Sequence, residues 1–473
     1  MTDNDKTSGL NRRTFIKLGG CFALLGLPAL RQIASAKPLT DSERPKNILF
    51  LITDQQHIEA MSAAGCPYLS TPAMDRIVQS GTSFSESYCP YPVCVPSRAA
   101  IFSGRMPSES RDENRAIAEG MPNLGEWIRR HGEGNPFYLN RWHLPRGYTK
   151  MIPGFEVLTT GLGGIGYITD PPAARAAEAW LYQNPADEPF FMVASFMQPH
   201  DICEWLRLNT YNQTELRYPE IADDLPPLPE NFEYDSREPD RVRQMRLQNE
   251  PAEGTRYDAP GRWDETYWRY YMWNYYRHVE MIDAEIERIL RAIELTGRLE
   301  DTLIVFTSDH GEGLGHHQTV RKGQAYDESA KVPLVFSWPG HIASGQVDST
   351  LVSGIDIAPT LCDFLGIPPQ PEARGRSLRD LLTAGSSLER EFVVVEFAGG
   401  QGRALRTKDY KYVVVQGNHQ RQLFDMRKDP GETRNLADDP LYAPVVAHHR
   451  ELLNRWESGL EPYNGEHFVD RAT

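Results

Sequence analysis

Three apolar runs of strand length constrain the fold of this chain more than any other feature. They cover residues 47–52, 189–196 and 303–307, and none of them alternates regularly with polar residues. Runs that are apolar on both faces are typical of parallel strands buried under helices. Helical patterns lie between them at residues 123–131, 173–183 and 267–295, and the last carries a stripe of isoleucines. The sequence therefore predicts an α/β domain with a parallel central sheet.

Polar side chains follow each of these runs directly. Asp54 and Gln55 follow the first, His200 follows the second, and Asp309 and His310 follow the third. Because ligands of open α/β sheets gather beyond the carboxyl ends of the strands, we expect these side chains to converge at one edge. Two carboxylates, an imidazole and an amide oxygen can hold a divalent metal. Each carboxylate considered alone could equally be an ordinary loop or helix-cap residue.

Cys94 precedes Pro96 by two residues, and Pro96 can occupy the first position of a helix. The residues after it continue as a plausible helix that Gly104 would end. The positive end of a helix favours anions and lowers the pKa of a thiol, and Arg98 adds a full charge one turn later. This pattern indicates a reactive cysteine that faces an anion, with a buried structural cysteine as the alternative.

Charge and composition limit the classes of function. The chain has 473 residues, 40% of them hydrophobic and 24% charged, with a net charge of −15. Nucleic acid is therefore an unfavourable partner, because phosphate neutralisation needs a basic face. An enzyme for anionic substrates would have to concentrate its cations in the pocket. Cys66, Cys89, Cys203 and Cys362 form no Cys-x-x-Cys pair, and a disulfide among them remains open.

The N-terminus carries Arg12-Arg13 before an apolar run at residues 18–30, and small residues follow at 34–36. This pattern is typical of a twin-arginine signal peptide, so we expect residues 1–36 to be removed by the export machinery. The run is too short to predict a membrane span. A lipidated Cys21 is the weaker alternative, because that residue lies near the start of the run. The protein is then periplasmic or secreted, with residues 37–46 as a linker.

Composition changes twice further along the chain. Residues 201–262 are rich in Pro, Glu, Asp, Arg and Tyr without a sustained period, which predicts an insertion over the pocket or a surface loop. From about residue 390 the chain shows short strand patterns at 391–397 and 402–416 and a terminal helix at 445–459. We therefore expect a catalytic domain at 47–385 and a C-terminal subdomain at 386–473.

Several motifs in order along the chain resemble those of the type I sulfatases. Cys94-Val95-Pro96-Ser97-Arg98 followed by Gly104-Arg105 resembles the signature whose cysteine is oxidised to Cα-formylglycine. Residues 140–145 resemble the Gly-Lys-Trp-His-Leu-Gly stretch, with Asn140, Arg141 and Pro145 as departures. Residues 308–334 resemble the segment whose lysine grips the sulfate, here Lys322. His316 and His317 match no functional position, and Gln55 replaces a second aspartate of the family.

The resemblance implies an alkaline-phosphatase-like α/β/α sandwich with a smaller C-terminal α+β subdomain, and the activity of a sulfuric ester hydrolase. It implies formylglycine at position 94, made by a formylglycine-generating maturation enzyme, and calcium as the metal. Because His310 would supply a nitrogen ligand, manganese and zinc are alternatives to calcium. The implied catalytic residues are Cys94, Arg98, Arg141, His143, His200, Asp309 and Lys322. The implied substrate-binding residues are Arg98, Arg141, His200 and Lys322, and the metal ligands are Asp54, Gln55, Cys94, Asp309 and His310.

The implied roles divide proton transfer among three residues. Asp309 would take a proton from one hydroxyl of the hydrated aldehyde, His200 would protonate the leaving alcohol with help from Lys322, and His143 would deprotonate the second hydroxyl. The expected substrate is a sulfated carbohydrate, because export places the enzyme where polysaccharides occur and residues 201–273 offer sugar contacts. Glu204, Trp205 and Arg207 could lie beside the leaving group.

Two rival functions remain open at this point. A phosphodiesterase or phosphonate monoester hydrolase of the same superfamily would share the formylglycine and the metal. A protein that binds sulfated glycans without turnover would not need a modifiable cysteine with acid, base and metal residues. Trp263, Trp268 and Trp273 could stack on sugars or merely pack the helix that begins near residue 267.

Overall fold

The computed structural model of the chain describes residues 44–111, 117–132, 134–144, 152–161, 164–209, 219–235, 238, 243, 263–416, 421–465 and 467–468. The expected signal peptide, most of the linker and much of 201–262 lie outside these residues. Within the described part of the chain, no helix combines the length and apolar character that crossing a membrane requires.

The described strands, in chain order, are β1 (Asn47–Asp54), β2 (Thr82–Phe84), β3 (Ser87–Tyr88), β4 (Pro136–Asn140), β5 (Glu156–Thr160), β6 (Phe191–Pro199), β7 (Thr302–Ser308), β8 (Leu334–Ser337), β9 (Gln346–Asp348), β10 (Val352–Ser353), β11 (Phe392–Phe397), β12 (Gly402–Thr407), β13 (Tyr410–Val415) and β14 (Arg421–Asp425).

The described α-helices are α1 (Pro72–Ser80), α2 (Cys94–Ser103), α3 (Pro107–Ser110), α4 (Leu124–His131), α5 (Gly166–Gln183), α6 (Ile202–Asn209), α7 (Glu265–Leu295), α8 (Asp327–Ala330), α9 (Ile357–Leu365), α10 (Arg379–Ala384) and α11 (Ala443–Glu457).

The large sheet contains the three apolar runs as its central strands. Among the described residues its order is β5-β4-β6-β1-β7-β8-β2-β9. β1 pairs in parallel with both β6 and β7, which confirms the predicted parallel centre. β8 runs antiparallel to β7, so the complete sheet is mixed rather than all parallel.

Both faces of this sheet are covered, as the runs predicted. Leu49 and Leu51 of β1 face a core built with α1, α5 and α7. The alternate residues Ile48, Phe50 and Ile52 face a second core built with α2, α4 and α9. This alternation between two apolar environments is the reason that β1 is apolar on both faces. The predicted α/β/α sandwich is thereby confirmed.

A small antiparallel sheet with the order β11-β12-β13-β14 follows near the C-terminus. One face packs on α11 through residues such as Leu405 and Leu453. The other face packs on Tyr88, Tyr326 and Ala330 of the preceding part of the chain. The pattern at 402–416 is therefore two strands joined by a turn, with the terminal helix beginning at Ala443.

The helix that carries Cys94 differs from its prediction in one respect. α2 begins at Cys94 itself, with Val93 as an extended N-cap, so that Pro96 is the third helical residue rather than the first. Gly104 ends the helix as predicted, with a φ of 69° and an N–H that donates to the carbonyl of Ala100. Cys94 therefore lies at the first, positive turn of the helix.

Candidate active site

Strand ends place the predicted polar residues at one edge of the large sheet. Asp54 is the last residue of β1, His200 follows the end of β6, and Asp309 follows β7. The three strands are adjacent and parallel, so their carboxyl ends meet. Asp54 and Asp309 are fully buried. The convergence predicted from the sequence is confirmed by this geometry.

Cys94 reaches the same place from the head of α2. Its Sγ lies 3.5 Å from Asp54 Oδ1 and 3.1 Å from His310 Nε2, and the residue is 3% exposed. Burial and the Asp54 carboxylate oppose the thiolate, but Lys322, His310 and a hydrogen bond from His143 outweigh them and hold the pKa of Cys94 well below its usual value. The thiol thus lies in an electropositive pocket.

Four potential ligand atoms form a buried cluster. One atom from each of Asp54, Cys94, Asp309 and His310 lies within 4.8 Å of the others. The imidazole of His310 contacts the carbonyl of Gly311 through Nδ1 at 2.9 Å, and its Nε2 is directed to the cluster. Carboxylate oxygens and an imidazole nitrogen are suitable ligands for a divalent metal, so the residues present fit one.

Arg98 holds the two aspartates of this cluster. Its Nε lies 2.7 Å from Asp309 Oδ2, and its Nη2 lies 3.2 Å from Asp54 Oδ2. Its Nη1 donates to the carbonyl of Arg141 and to Ser195 Oγ at 2.9 and 2.7 Å. Because the guanidinium is fully buried and makes these contacts, it serves to position carboxylates and the end of β4. Its predicted contact with substrate remains a prediction.

The two carboxylates are in different electrostatic environments. Burial opposes ionisation of Asp54, but the guanidinium groups of Arg141 and Arg98 overcome it and hold its pKa well below the usual value. Burial, together with the negative Asp54, raises the pKa of Asp309. A neighbouring pair with separated pKa values provides one permanent anion and one proton acceptor.

Arg141 and His143 enter from the end of β4. Arg141 Nε lies 2.5 Å from Asp54 Oδ2, and its Nη2 lies 3.0 Å from His143 Nδ1 and 3.9 Å from Cys94 Sγ. Asn140 and His143 both have positive φ, at 70° and 59°. Such non-glycine residues are strained and are common at functional sites. The structure thus brings both residues next to Cys94.

Lys322 and Gln55 contact each other beside the cluster. Lys322 Nζ donates to Gln55 Oε1, and Gln55 Nε2 donates to Glu312. Burial disfavours the lysine charge, but Cys94, Cys203 and Asp54 more than compensate and raise its pKa. The side-chain amide of Gln55 is therefore engaged between a cation and a carboxylate, and its role as a metal ligand stays a prediction.

His200 is held in its neutral form. Burial, Lys322 and Arg141 lower its pKa to about 3, against a smaller opposing effect of Asp54. A neutral imidazole cannot donate the proton that a leaving alcohol needs. An anionic group bound between Lys322 and Arg141 would cancel their effect and favour the protonated ring.

Sequence reasoning missed two contacts of this site. Glu312 is fully buried and accepts hydrogen bonds from Gln55, Tyr271 and the Arg321 N–H, so it fixes the amide that Lys322 contacts. The sequence signal that could have indicated Glu312 was its position two residues after His310. No such signal exists for Ser195, because this residue lies inside an apolar strand.

Trp205, which follows His200, packs against the aromatic side chains of α7. Trp205 contacts the rings of Tyr267, Tyr270 and Tyr271 at 5.4–6.0 Å between centroids. Glu204 and Arg207 form an exposed ion pair with each other. Trp263 and Trp268 are buried in the core along α7, which confirms packing for both, whereas Trp273 stacks with Tyr270. The cysteines among the described residues are free.

Comparison with known proteins identifies the family. A family model described as Sulfatase matches residues 46–367, and one described as N-sulphoglucosamine sulphohydrolase, C-terminal, matches residues 315–458. A Delta 4,5-hexuronate-2-O-sulfatase of Bacteroides thetaiotaomicron is 31% identical over 437 residues, which cover 87% of this chain and 88% of that protein.

Solved structures agree with this assignment. One described as a 2-O GAG sulfatase has a TM-score of 0.73 at 27% identity and covers 88% of this chain and 92% of its own. The phosphonate monoester hydrolase of Agrobacterium radiobacter has a TM-score of 0.72 at 25% identity, with coverage of 88% and 96%. The fold is therefore alkaline-phosphatase-like, and the chain belongs to the sulfatase family and is a sulfuric ester hydrolase.

Proposed function

We propose that this chain is an exported sulfatase that hydrolyses sulfate monoesters of sulfated carbohydrates through formylglycine at Cys94 and a divalent metal. The observation that carries the proposal is the cluster of Asp54, Cys94, Asp309 and His310 within 4.8 Å, at the head of a helix, in a sulfatase chain. A structural cysteine would not need two carboxylates, an imidazole and three cations around it. Hydrolysis of a sulfate ester would also distinguish this proposal from that of a protein that only binds glycans.

Asp54, Asp309, His310 and Cys94 would hold the metal, with Gln55 as a further oxygen donor. A bound divalent cation supplies positive charge that offsets the sulfate oxygens and acidifies the attacking hydroxyl. The oxygen-rich donor set supports calcium, and the His310 nitrogen keeps manganese and zinc as alternatives.

The surrounding cations would bind the sulfate group. Arg141 and Lys322 lie beside Cys94 and are charged despite burial, so they can neutralise an anion without reorganisation. Arg98 keeps Asp54 and Asp309 in place, and through its contact with the Arg141 carbonyl it also fixes the end of β4.

Proton transfer would follow from the separated pKa values. The hydrated aldehyde implied at position 94 supplies two hydroxyl groups, one to attack sulfur and one whose deprotonation releases sulfate. Asp309, whose pKa is raised, would accept the proton of the attacking hydroxyl. His200, once an anion offsets Lys322, would donate a proton to the leaving alcohol oxygen. His143, hydrogen-bonded to the Cys94 side chain, would deprotonate the second hydroxyl.

The substrate class comes from the relatives and from the expected export. A Delta 4,5-hexuronate-2-O-sulfatase and a 2-O GAG sulfatase are among the similar proteins, and both names denote sulfated sugars. The twin-arginine pattern of residues 1–36 supports a periplasmic or secreted enzyme, which meets such polymers.

A phosphonate monoester or phosphodiester hydrolase is the second candidate. The phosphonate monoester hydrolase neighbour favours it, and Gln55 in place of an aspartate leaves the site with one negative charge fewer. We expect weak phosphonate turnover beside a primary sulfatase activity.

Mass spectrometry and a substrate panel test both parts. Protein made with and without a formylglycine-generating enzyme is digested with trypsin, and the peptide of residues 77–98 is measured. This peptide contains Cys89 as an internal control, which lacks the motif and should stay a thiol. Active protein with only thiol at Cys94 would refute the modification. Sulfated oligosaccharides, aryl sulfates and phenylphosphonate are then compared, and a phosphonate preference would favour the second candidate.

A further inference from the structure

A second cavity of about 530 Å³ lies beside the active site, bounded by α7, the 226–231 segment, the 316–318 turn and the small sheet. Its lining includes His57, Tyr68, Tyr276, His316 and Glu328, and none of the predicted catalytic or metal-binding residues lines it. The volume lies in the range of small-molecule sites. The cavity also contains His316, one of the two histidines for which the sulfatase resemblance offers no role.

His57 presents an unpaired donor in this region. The residue is 3% exposed, and its Nδ1 accepts a hydrogen bond of 3.0 Å from the Glu59 N–H. In the neutral ring the hydrogen therefore resides on Nε2. Nε2 has no hydrogen-bond partner among the residues that the structure describes. A buried donor without a partner is costly, which calls for a ligand group that accepts from it.

Glu328 presents an unpaired acceptor in the same lining. Its Oε1 accepts from Asn231 Nδ2 at 2.8 Å and lies 3.3 Å from His316 Nδ1. Its Oε2 is buried and has no hydrogen-bond partner in the described part of the chain. The His316 ring in turn stacks on His57, with centroids 5.4 Å apart and an interplanar angle of 16°. Donor and acceptor are thus fixed by neighbouring groups.

The charges of the cavity disfavour an anion. Lys331 lies 3.0 Å from Glu86, and Arg406 lies 3.0 Å from the same carboxylate, so both cations of the lining are compensated. Glu59, Glu230 and Glu328 add further negative charge. A sulfated or carboxylated group would therefore be repelled, in contrast to the active site with its surplus of cations.

A sugar without charged substituents satisfies these conditions. A hydroxyl group both donates and accepts, so one ring can accept from His57 and donate to Glu328. Tyr68 and Tyr276 stack with centroids 6.4 Å apart, and the prolines of 226–229 extend this apolar wall. Such surfaces suit the C–H face of a sugar ring.

The backbone on both sides of His316 is strained. Leu314, His317, Gln318 and Arg321 have φ values of 47°, 49°, 53° and 63°. These left-handed conformations cost free energy in non-glycine residues and cluster at functional sites. The same short segment carries His316 into the cavity and leads on to Lys322 at the active site. A packing role alone would not require this concentration of strain.

We propose that this cavity binds an uncharged sugar ring, as a second carbohydrate site next to the catalytic one. The Tyr275 hydroxyl connects the two sites, since it donates to the backbone carbonyl of Gln55 at 2.7 Å and accepts from the backbone N–H of His57 at 2.8 Å. A glycan chain could then place a sulfated unit at Cys94 and an unsulfated unit in the cavity. The proposal extends the carbohydrate class proposed above, but it concerns binding and not turnover.

The test measures binding of glucose, galactose and N-acetylglucosamine to the full chain by calorimetry and saturation-transfer NMR. We expect at least one of these neutral sugars to bind at millimolar concentration and its 6-sulfate to bind less well at this cavity. His57→Phe keeps an aromatic ring at this position and removes the donor, so affinity should fall about tenfold or more. Turnover of a small aryl sulfate should stay unchanged. His448→Phe changes an exposed histidine outside the cavity and serves as the matched control.

Glu328→Gln and His316→Phe repeat the test, in case His57→Phe does not fold by circular dichroism. Equal affinity in wild type and in the folded variants, or no binding of any neutral sugar, would overturn the proposal. The two proposals fail differently. If the wild-type protein binds no neutral sugar but hydrolyses sulfated glycans, only the proposal of the cavity site fails. If it binds neutral sugars but hydrolyses no sulfate ester, only the proposed enzymatic function fails.

Discussion

Two clusters of buried charges in this molecule are arranged in opposite ways. Under the small sheet, Lys411 Nζ lies 2.8 Å from both Asp327 Oδ1 and Glu432 Oε1, and the lysine is 1% exposed. At the edge of the large sheet, Arg98 contacts Asp54 and Asp309 through Oδ2 only. In the first group the charged side chains pair with one another. The second leaves one oxygen of each carboxylate directed toward Cys94 and His310.

This difference separates charges that hold the fold from charges that can act on a ligand. Buried ion pairs alone are weak evidence of function, because structural networks also shift pKa values. At the sheet edge, in contrast, the carboxylates of Asp54 and Asp309 lie close to Cys94 Sγ and His310 Nε2, which are a candidate nucleophile and a further ligand atom. The following predictions use matched changes in the two regions.

Cys94→Ala should have the largest effect on activity. It removes the side chain that the maturation enzyme would oxidise, so kcat/KM for an aryl sulfate should fall by at least about 10⁴-fold. Cys89→Ala, another buried cysteine whose Sγ lies 3.8 Å from the Ser329 carbonyl, is the control and should keep most of the activity. A Cys94→Ala protein with appreciable turnover would place the nucleophile elsewhere.

Asp54→Asn should reduce activity by about 10³-fold, because it removes a ligand charge from the proposed metal site and a partner from Arg98 and Arg141. Elemental analysis of the purified protein should show a metal content well below that of wild type. Asp301→Asn, which changes an exposed ion pair with Lys46, is the matched control. Full metal content in Asp54→Asn would contradict the assignment of this ligand.

Lys411→Met should show the reverse pattern. Removing the shared cation leaves the Asp327 carboxylate and the buried Glu432 side chain without their common partner, so the free energy of unfolding should fall by about 3 kcal/mol, while kcat/KM at 25 °C stays within about threefold of wild type. Lys46→Met breaks an exposed pair and should cost less than about 1 kcal/mol. Chemical denaturation followed by circular dichroism measures both. A large loss of activity in folded Lys411→Met would erase the distinction between the regions.

Glu432 should make the free energy of unfolding depend on pH. Burial, with Asp327 and Glu328, raises its pKa from 4.5 to about 8 against the effect of Lys411. The folded state then binds more protons than the unfolded state between these values. Stability from this group is complete below pH 4.5 and is lost as pH rises through 8, with a slope of up to about 1.4 kcal/mol per unit.

Glu432→Gln should remove that slope, since glutamine does not titrate. Urea denaturation at intervals from pH 5 to 8.5 compares the two proteins, and the difference between them should shrink or change sign as the pH rises. Parallel curves for wild type and variant would show that Glu432 is already ionised at pH 5.

Most of the fold and part of the site could be predicted from local patterns. Asp54, His200 and Asp309 follow strands whose apolar faces are evident in the sequence, so their meeting at one edge followed from sheet geometry. The start of α2 at Cys94 was missed because Val93 caps the helix with extended backbone alone, which no residue preference reveals.

Contacts between distant segments could not be predicted in this way. Gln55 donates to Glu312, 257 residues further along the chain, and this contact decides where its amide lies. The second cavity likewise combines His57, Tyr276, His316 and Glu328 from separate elements. Neither the periodicity of the sequence nor the spacing of its residues predicts these contacts, because they depend on how the layers of the fold pack together.

The division of the carboxylate oxygens has a consequence for how the enzyme would acquire the proposed metal ion. Arg98 and Arg141 already hold Asp54 and Asp309 through Oδ2, so the Oδ1 atoms need no rearrangement when an ion arrives. Binding of the proposed ion would then need little reorganisation, and folding would not have to wait for it, unlike in small domains that are unfolded without zinc. Protein purified in chelator should therefore keep its melting cooperativity and regain activity within the mixing time when the ion is returned.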